Sequence, residues 1–224
     1  GTTERVNLAF GNQPKEFVQK AVAAIHELMP PTLSKIWEYK NFLMSATKLG
    51  TKRKSHSAIL ENGILKPNLS ELPVITSWKT DGGPFVTLPL VYTEHPETGV
   101  HNLGMYRIQI FDKDTTGIHW QIHKGGGFHY AVAEKINKPL PLNLYIGGPP
   151  ALILSAIAPL PENVPELILA SLLLGQKIET TKDPFGGYDL ISEVEFAFTG
   201  EVRPRERKPE GPFGDHYGYN SLQH

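Results

Sequence analysis

Short runs of β-forming residues, each closed by glycine, proline or aspartate, dominate the sequence from Leu72 onward. Runs of about four to eight such residues between turn residues are typical of β-strands. The segments Asp81–Pro84 and Glu97–Gly99 have the composition of turns. We predict strands at Leu72–Thr76, Phe85–Tyr92, Met105–Phe111, Gly117–His123, Leu142–Ile146 and Val194–Phe198.

Helical periodicity occurs in only a few places. Pro14–Met29 repeats its apolar residues at helical spacing and is followed by two prolines. Phe128–Ile136 is a second predicted helix, and Pro165–Leu174 is a third that stops before Gly175, a residue suited to a C-cap. Strands that do not alternate regularly with helices favour an α+β fold with an antiparallel sheet or barrel. The basic run at positions 52–54 is interpreted as a solvated loop.

Composition excludes several classes of function. The 224 residues include no cysteine, which excludes disulfides, zinc–thiolate sites and a cysteine nucleophile. A formal net charge of -1 offers no electrostatic reason for binding nucleic acid. No apolar run approaches the roughly 20 residues that a membrane span needs, and we expect a cytoplasmic protein. Because the sequence starts at Gly1 and stops without a closing element, we expect it to be part of a longer protein.

Residues 101–107, 119–127 and 210–216 hold most of the side chains suited to chemistry. An arginine inside an apolar run, such as Arg107, needs a carboxylate partner or ligand. Glu210 and Asp215 have an ordinary alternative as solvated turn carboxylates. Asn102 could be a turn residue, and Glu166 could favour the start of a helix through its charge alone.

The glycine-rich stretch has the same ambiguity. Gly125–Gly127 would let a ligand approach the backbone closely, but a glycine loop can also be only a turn. His119 and His123 lie four residues apart and would face the same side of a strand. A single histidine such as His123 is more often a half-buried structural residue than a ligand.

Taken together and in order, these motifs resemble the UbiD-type decarboxylases from about Glu71 to the end. The longest matching stretches are residues 83–89, 102–107, 119–126, 147–151, 158–161 and 210–215. The resemblance implies a split β-barrel, so we expect a helical or linker region over residues 1–70 and a cofactor-binding catalytic domain over residues 71–224. It also implies that a C-terminal domain found in the family is missing here.

The resemblance further implies that the domain binds prenylated FMN and a divalent metal ion. The family's metal ligands correspond to Asn102, His123 and Glu166, an oxygen and nitrogen set that suits Mn²⁺ or Mg²⁺. A potassium ion nearby is implied by the same analogy. The other residues that the resemblance assigns to the cofactor are Met105, Arg107, Gln121, Ala158 and Pro159.

The family's catalytic network corresponds to Arg107, Glu210 and Asp215. We expect Arg107 within salt-bridge reach of Glu210, which would orient it, and Asp215 to supply the proton that replaces CO2. Thr199 stands where the family has an acidic residue, outside this network. We therefore expect reversible, non-oxidative decarboxylation of an aromatic or α,β-unsaturated acid, such as a 4-hydroxybenzoate-type quinone precursor.

Two other interpretations compete with decarboxylation. An FMN-binding oxidoreductase on a similar barrel would need a hydride donor site, and no Gly-x-Gly-x-x-Gly fingerprint follows a predicted strand. A non-catalytic assembly module would not need an arginine beside two acids. The resemblance also implies partners: a carboxylic acid substrate, a flavin prenyltransferase that supplies the cofactor, and further copies in a homo-oligomer.

Overall fold

The computed structural model describes residues 2–10, 46–63, 66–121, 124–160, 165–215 and 217–223. The predicted helix Pro14–Met29 lies outside these residues. The helices are α1 (Thr3–Phe10), α2 (Gly125–Lys135), α3 (Pro150–Ile157) and α4 (Glu166–Leu174). The strands are β1 (Thr51–Lys54), β2 (Phe85–Val86), β3 (Leu90–Glu94), β4 (His101–Met105), β5 (Ile108–Ile110), β6 (Thr116–Ile118), β7 (Leu140–Ile146), β8 (Ile178–Thr181), β9 (Leu190–Ile191), β10 (Phe196–Val202), β11 (Phe213–Gly214) and β12 (Asn220–Ser221).

An antiparallel sheet in the order β10-β7-β3-β4 forms the centre of the molecule. Both of its faces are covered, because the adjacent residues Leu144 and Tyr145 point to opposite sides and are 6% and 0% exposed. Three smaller sheets, β2-β5-β6, β1-β8-β9 and β11-β12, surround it. This arrangement of several sheets and helices confirms the predicted α+β class.

Each face of the central sheet carries its own core. On one face, Leu90 and Leu103 pack with Leu152 of α3 and Leu167 of α4. On the other, Val91 and Leu144 pack with β5 residues, and α2 contributes a small cluster around Tyr130 and Ala133. A fully buried leucine stabilises a fold by about 1.5–3 kcal/mol, so both layers hold the sheet in place.

Several predicted strands are shorter than expected, and the breaks have physical causes. Phe85–Tyr92 divides into β2 and β3 because Leu88 adopts a positive φ of 50°, which interrupts the extended backbone. Met105–Phe111 divides at Tyr106 and Arg107, where the chain leaves the central sheet and enters β5 of the next sheet. The prediction of continuous strands was therefore wrong, and the breaks carry the chain between sheets.

Other predicted segments also need correction. Leu72–Thr76 contributes an isolated bridge between Ile75 and Phe85. Of the predicted strand Gly117–His123, the described residues 117–121 are in a strand only up to Ile118, the end of β6. The basic run at positions 52–54 belongs to strand β1, not to a loop, because β1 pairs in parallel with β8. Its charges stay at the surface and form ion pairs, including Lys54 with Glu179 at 2.5 Å.

The helices agree better with the sequence. Helix α4 ends as predicted at Gly175, whose φ of 69° allows the left-handed C-cap. Helix α2 starts three residues before the predicted start at Phe128. The prediction missed this first turn because it consists of glycines, which have low helix propensity. Helix α3 was not predicted. Within the described segments, no helix has the length and apolar character needed to cross a membrane.

Candidate active site

Arg107 lies at the crossing from β4 to β5 and holds Glu210 in a two-pronged ion pair. Its Nε donates to Glu210 Oε1 at 2.8 Å, and its Nη2 donates to Oε2 at 2.6 Å. Glu210 is only 5% exposed, although it lies 103 residues later in the chain. Planar guanidinium and carboxylate groups match in this geometry, which gives short charge-assisted bonds. The expected contact between the two side chains is thus present.

Three further side chains surround the guanidinium. Nη1 donates to Ser221 Oγ at 3.0 Å, and the ring of Phe213 lies below Cζ with its centroid 5.2 Å away. His119 Nδ1 lies 3.4 Å from Nη2 and 3.6 Å from the Glu210 carboxylate. All three guanidinium nitrogens are therefore engaged, and Arg107 is held in a single orientation.

The segment that carries Glu210 is fixed by the turn before β2. Gln109 links the two, because its Nε2 donates to the Gly82 carbonyl at 2.9 Å and its Oε1 accepts the Gly211 N–H at 2.8 Å. The Gly82 N–H in turn donates to the Pro212 carbonyl at 2.8 Å. A Cβ at Gly82 would stand 2.1 Å from the Gly211 oxygen, so only glycine permits this approach. The predicted turn at positions 81–84 thus anchors the tail.

Asp215 lies in the connection between β11 and β12. Its Oδ1 accepts the backbone N–H groups of Tyr217 and Tyr219, both at 2.9 Å, and its own N–H donates to the Tyr219 carbonyl at 2.8 Å. The carboxylate therefore organises a tight turn on the hairpin that also delivers Ser221 to Arg107. Its assignment as the proton donor stays a prediction.

Asn102 and Glu166 both lie at the β4 edge of the central sheet. Asn102 is on β4, the edge strand, and Glu166 begins α4. The Leu103 N–H, which points away from the sheet, donates to Glu166 Oε2 at 2.9 Å. Burial raises the pKa of Glu166, while the Leu103 N–H acts in the opposite direction. His123, the third predicted ligand, lies outside the described residues.

The surroundings of Asn102 fit an additional polar group. Among the described residues, its buried Nδ2 makes no hydrogen bond of normal geometry, and the Tyr106 hydroxyl is the polar group with which it interacts. A Cβ at Gly125 would lie 2.1 Å from Asn102 Oδ1, so the glycine start of α2 makes room for the amide. Buried amides in native proteins normally make hydrogen bonds of good geometry. An amide oxygen and a half-buried carboxylate also suit a hard divalent cation with a phosphate oxygen alongside.

The other residues predicted to bind the cofactor lie on β4, before α2 and after α3. Met105 ends β4 and packs against the core shared with α3 and α4. Gln121 is exposed. Its backbone carbonyl oxygen lies so close to Gly127 that a Cβ there would be 2.9 Å away. Ala158 and Pro159 directly follow α3. Their roles stay predictions.

Two residues of the site were not predicted. Gln109 is 5% exposed, and a polar residue inside an otherwise apolar strand is a signal that sequence inspection could have used. Ser221 offered no such signal, since a single serine among turn-forming residues is ordinary. Only the hairpin of β11 and β12 brings it to Arg107.

Comparison with known proteins adds independent findings. Residues 51–224 match the family model of the UbiD 3-octaprenyl-4-hydroxybenzoate carboxy-lyase Rift-related domain. A Chlamydia pneumoniae protein, named as one subunit of a 4-hydroxybenzoate decarboxylase, is 44% identical over 224 residues, which are 100% of this chain and 38% of that protein. An uncharacterized Aquifex aeolicus protein is 34% identical, with 98% of this chain and 46% of the relative covered. The chain thus spans less than half the length of these relatives.

Solved structures resemble the fold as well. The UbiD-class enzyme HmfF from Pelotomaculum thermopropionicum, in an evolved dimeric form in complex with prFMN, matches with a TM-score of 0.74 and 27% identity over 83% of this chain and 44% of that chain. The vanillic acid decarboxylase of Sedimentibacter hydroxybenzoicus in its closed form matches with a TM-score of 0.75 and 27% identity over 87% of this chain and 43% of that chain.

Proposed function

The chain belongs to the UbiD family, and we propose that it forms the cofactor-binding and catalytic part of a decarboxylase. The reaction is the reversible, non-oxidative removal of CO2 from an aromatic or α,β-unsaturated acid, and a 4-hydroxybenzoate-type quinone precursor is the proposed substrate. The observation that carries the proposal is the buried pair of Arg107 and Glu210, which a distant tail segment completes. A protein that only assembled with others would not need an arginine placed beside two acids.

The proposal extends to the architecture. The sheets β10-β7-β3-β4 and β2-β5-β6, joined at Arg107, are the two parts of a split barrel, and this domain spans residues 71–224. Residues 1–70 are proposed to be a helical or linker region, from which strand β1 joins the domain by pairing with β8. The strand crossings at Leu88 and Arg107 support this arrangement, because they pass the chain directly from one sheet to the other.

Asn102, His123 and Glu166 are the proposed ligands of Mn²⁺ or Mg²⁺ beside the phosphate of prenylated FMN, with K⁺ nearby. The buried amide of Asn102 and the half-buried carboxylate of Glu166 support this assignment. When bound, the flavin supplies an electron sink for the charge that departing CO2 leaves behind. Met105, Gln121, Ala158 and Pro159 are the further residues proposed to contact it.

In this proposal, Arg107 binds the substrate, Glu210 orients Arg107 and Asp215 transfers the proton. Glu210 binds Nε and Nη2 of Arg107, whereas the partner of Nη1 among the described residues is the neutral hydroxyl of Ser221. A substrate carboxylate would replace that hydroxyl and accept a charge-assisted hydrogen bond from Nη1. Asp215 then protonates the carbon that CO2 has left. Its Oδ1 holds the turn, so Oδ2 is the oxygen assigned to carry the proton.

The test uses the full-length protein produced together with a flavin prenyltransferase. Mass spectrometry of the extracted flavin should show prenylated FMN, and an unmodified flavin would contradict the assignment. Asp215→Asn should block decarboxylation and the exchange of substrate hydrogen with water, while flavin and metal stay bound. Asp114→Asn, in an exposed turn, is the matched control. Near-normal turnover of the Asp215 variant would remove it as donor and leave Glu210.

We also infer the partners from the family and from the names of relatives. One relative is named as a subunit of a decarboxylase, so the full-length protein is proposed to assemble with other chains and with copies of itself. A flavin prenyltransferase is the proposed supplier of the cofactor, and the cytoplasm is the proposed location. Size-exclusion chromatography with light scattering on the full-length protein tests the assembly.

A further inference from the structure

Strand β10 forms one edge of the central sheet. Its seven residues, Phe196–Val202, pair with β7 without interruption. Among the described residues, no strand pairs with its other side, because β10 stands at the end of the order β10-β7-β3-β4. Thr199, Gly200 and Glu201 are exposed, and a Cβ at Gly200 would meet no atom within 4 Å. In the part of the chain that the structure describes, this edge is therefore open to solvent.

Leu103 on β4 gives the direction of the backbone hydrogen bonds across this sheet. In an antiparallel sheet, successive residues of a strand bond to opposite sides, and two residues that lie opposite each other either bond to each other or both point away. The Leu103 N–H leaves the sheet, so Tyr92 opposite it bonds to Asn143 of β7. The next residue, Leu144, then bonds to Phe198 of β10. The residues of β10 that point their N–H and C=O groups outwards are therefore Ala197, Thr199 and Glu201.

These outward backbone groups have no hydrogen-bond partner within the described segments. A strand edge with free N–H and C=O groups is a template for another strand, and many proteins block such edges with proline, lysine or a bulge. Phe196–Val202 contains neither proline nor lysine and pairs with β7 residue by residue. The edge is therefore suited to pairing with a further strand.

The charges on either side of β10 identify a second copy of the same strand as the partner. Two exposed carboxylates precede the strand and two exposed guanidinium groups follow it, namely Glu193, Glu195, Arg203 and Arg205. When two copies run antiparallel with Thr199 opposite itself, Glu195 of each copy lies opposite Arg203 of the other, because both are four residues from the centre. Glu193 and Arg205 are likewise both six residues from the centre. Opposite charges that face each other across two strands stabilise their pairing.

The two side chains that would meet have atoms available for the contact. Arg203 Nε donates to Glu201 Oε1 of its own chain at 3.3 Å, and its Nη groups have no partner among the described residues. Glu195 Oε2 accepts the Gly148 N–H at 3.2 Å, and its Oε1 has no partner in the same part of the chain. An ion pair between Arg203 Nη and Glu195 Oε1 of the other copy would therefore break no existing contact.

Three shifted registers of the same two-fold pairing bring like charges together. An axis at Ala197 would place Glu201 opposite Glu193. An axis at Phe198 would place Glu201 opposite Glu195, and an axis at Glu201 would place two copies of that carboxylate opposite each other. Like charges directly opposite on paired strands are destabilising, so these registers are disfavoured.

An axis at Gly200 avoids like charges but uses the free groups less well. It pairs Ala197 with Arg203, whose carbonyl already accepts a side-chain hydroxyl at 3.2 Å. The axis at Thr199 instead pairs the free residues with one another, Thr199 with its own copy and Ala197 with Glu201. Each of these pairs exchanges two hydrogen bonds, so the register centred on Thr199 satisfies every outward group of the strand.

The same register covers apolar surface on one face of the strand. Phe196 is 47% exposed, and its ring stacks on Phe198 with centroids 6.4 Å apart and an interplanar angle of 11°. Val202 of the second copy would lie opposite Phe196, and Gly200 of that copy would lie opposite Phe198. Aromatic residues opposite a β-branched residue or a glycine are favourable cross-strand neighbours.

We propose that two copies of the chain associate by antiparallel pairing of their β10 strands about a two-fold axis at Thr199. The two central sheets then form one continuous sheet. The proposal gives a specific surface to the self-association proposed above, and it rests on the strand edge and its charges rather than on the reaction.

The test is crosslinking at the axis in the full-length protein, so that contacts made elsewhere do not affect the result. In the paired strands, the two Cα atoms at position 199 would lie about 5.5 Å apart. Thr199→Cys should therefore be joined to its copy by a short bis-methanethiosulfonate reagent, and mass spectrometry of the digested product should show two peptides linked at position 199. Thr116→Cys is the matched control, because Thr116 is an exposed threonine on β6, the edge of another sheet, and should not be joined.

Charge exchange tests the register. Glu195→Arg and Arg203→Glu, each added to Thr199→Cys, place like charges across the axis, and in dilute protein each alone should lower crosslinking at position 199 about tenfold. A mixture of the two variants should crosslink again, now between unlike chains, because each altered side chain then faces an opposite charge. The melting temperature of each variant confirms that it is folded.

The proposal is overturned if positions 199 and 116 are joined equally, or if the mixture crosslinks no better than each variant alone. It is also overturned if position 199 is not joined at all, as would happen if another segment of the full-length protein or a different partner covered the edge. Crosslinking requires neither cofactor nor turnover, so a negative result here would leave the proposed decarboxylation standing.

Discussion

Arg107→Met leaves Glu210 buried without its cationic partner while keeping most of the apolar stem of the arginine. Removing one member of a buried ion pair costs about 3–5 kcal/mol. The side chains of Arg107 and Glu210 are 16% and 7% exposed, so water can reach the pair slightly and the lower limit is expected. For a chain of this size, about 3 kcal/mol corresponds to a fall in Tm of roughly 6–12 °C. Differential scanning calorimetry measures it directly.

Arg203→Met is the matched control, because Arg203 pairs with Glu201 at the surface, where the side chains are 70% and 50% exposed. Such a pair contributes under about 1 kcal/mol. Adding Glu210→Gln to the Arg107 variant removes the buried charge and should restore at least about 1 kcal/mol. Equal melting temperatures of the Arg107 and Arg203 variants, or a double variant no more stable than Arg107→Met, would refute this reasoning.

Three further predictions concern the rest of the site and the pH dependence. Glu166→Gln should reduce bound metal and flavin severalfold and lower Tm little, since a charge at a helix start contributes only about 0.3–1 kcal/mol; equal flavin content with a lower Tm would contradict it. Gly125→Ala should displace Asn102 and cost about 1–3 kcal/mol in urea unfolding, whereas Gly200→Ala, with open space at its Cβ position, should cost less than half as much. Burial, with His95 and His101 nearby, lowers the pKa of His129 from 6.5 to about 4. The unfolded chain therefore takes up the proton first as the pH falls, and stability should decline by up to about 3 kcal/mol between pH 6.5 and 4; an equally steep decline in His129→Gln would contradict this.

The sequence predicts elements best where a single local signal decides them. Helix α4 ends at Gly175 because a left-handed C-cap favours glycine, and this rule acts within one turn of the chain. Local signals do not predict where a single apolar run divides between two sheets. Met105 and Ile108 have the same β-forming character, yet the chain changes sheets between them. Only the packing of both sheets determines where that break lies.

In the candidate site, too, local signals identify some residues and long-range contacts determine the others. Arg107 stood out in the sequence because an arginine in an apolar run requires a partner, and Glu210 is that partner. The roles of Gln109 and Ser221 depend on contacts that span 102 and 114 residues, which no local pattern encodes. Strand β1 was missed for a related reason. Its charged residues resemble a loop, and pairing with β8 together with ion pairs at the surface makes it a strand.

The long sequence separation between Arg107 and its partners affects how the protein folds during its synthesis. Glu210 follows Arg107 by 103 residues and Ser221 follows it by 114. At a synthesis rate of about 5–20 residues per second, Arg107 leaves the ribosome roughly 5–20 s before its carboxylate partner has been made. Contacts between distant residues also form slowly once the chain is free. The β3–β4 hairpin can therefore form early, whereas β10 completes the central sheet only shortly before Glu210 is made. The guanidinium stays in water until Glu210 and the β11–β12 hairpin close over it.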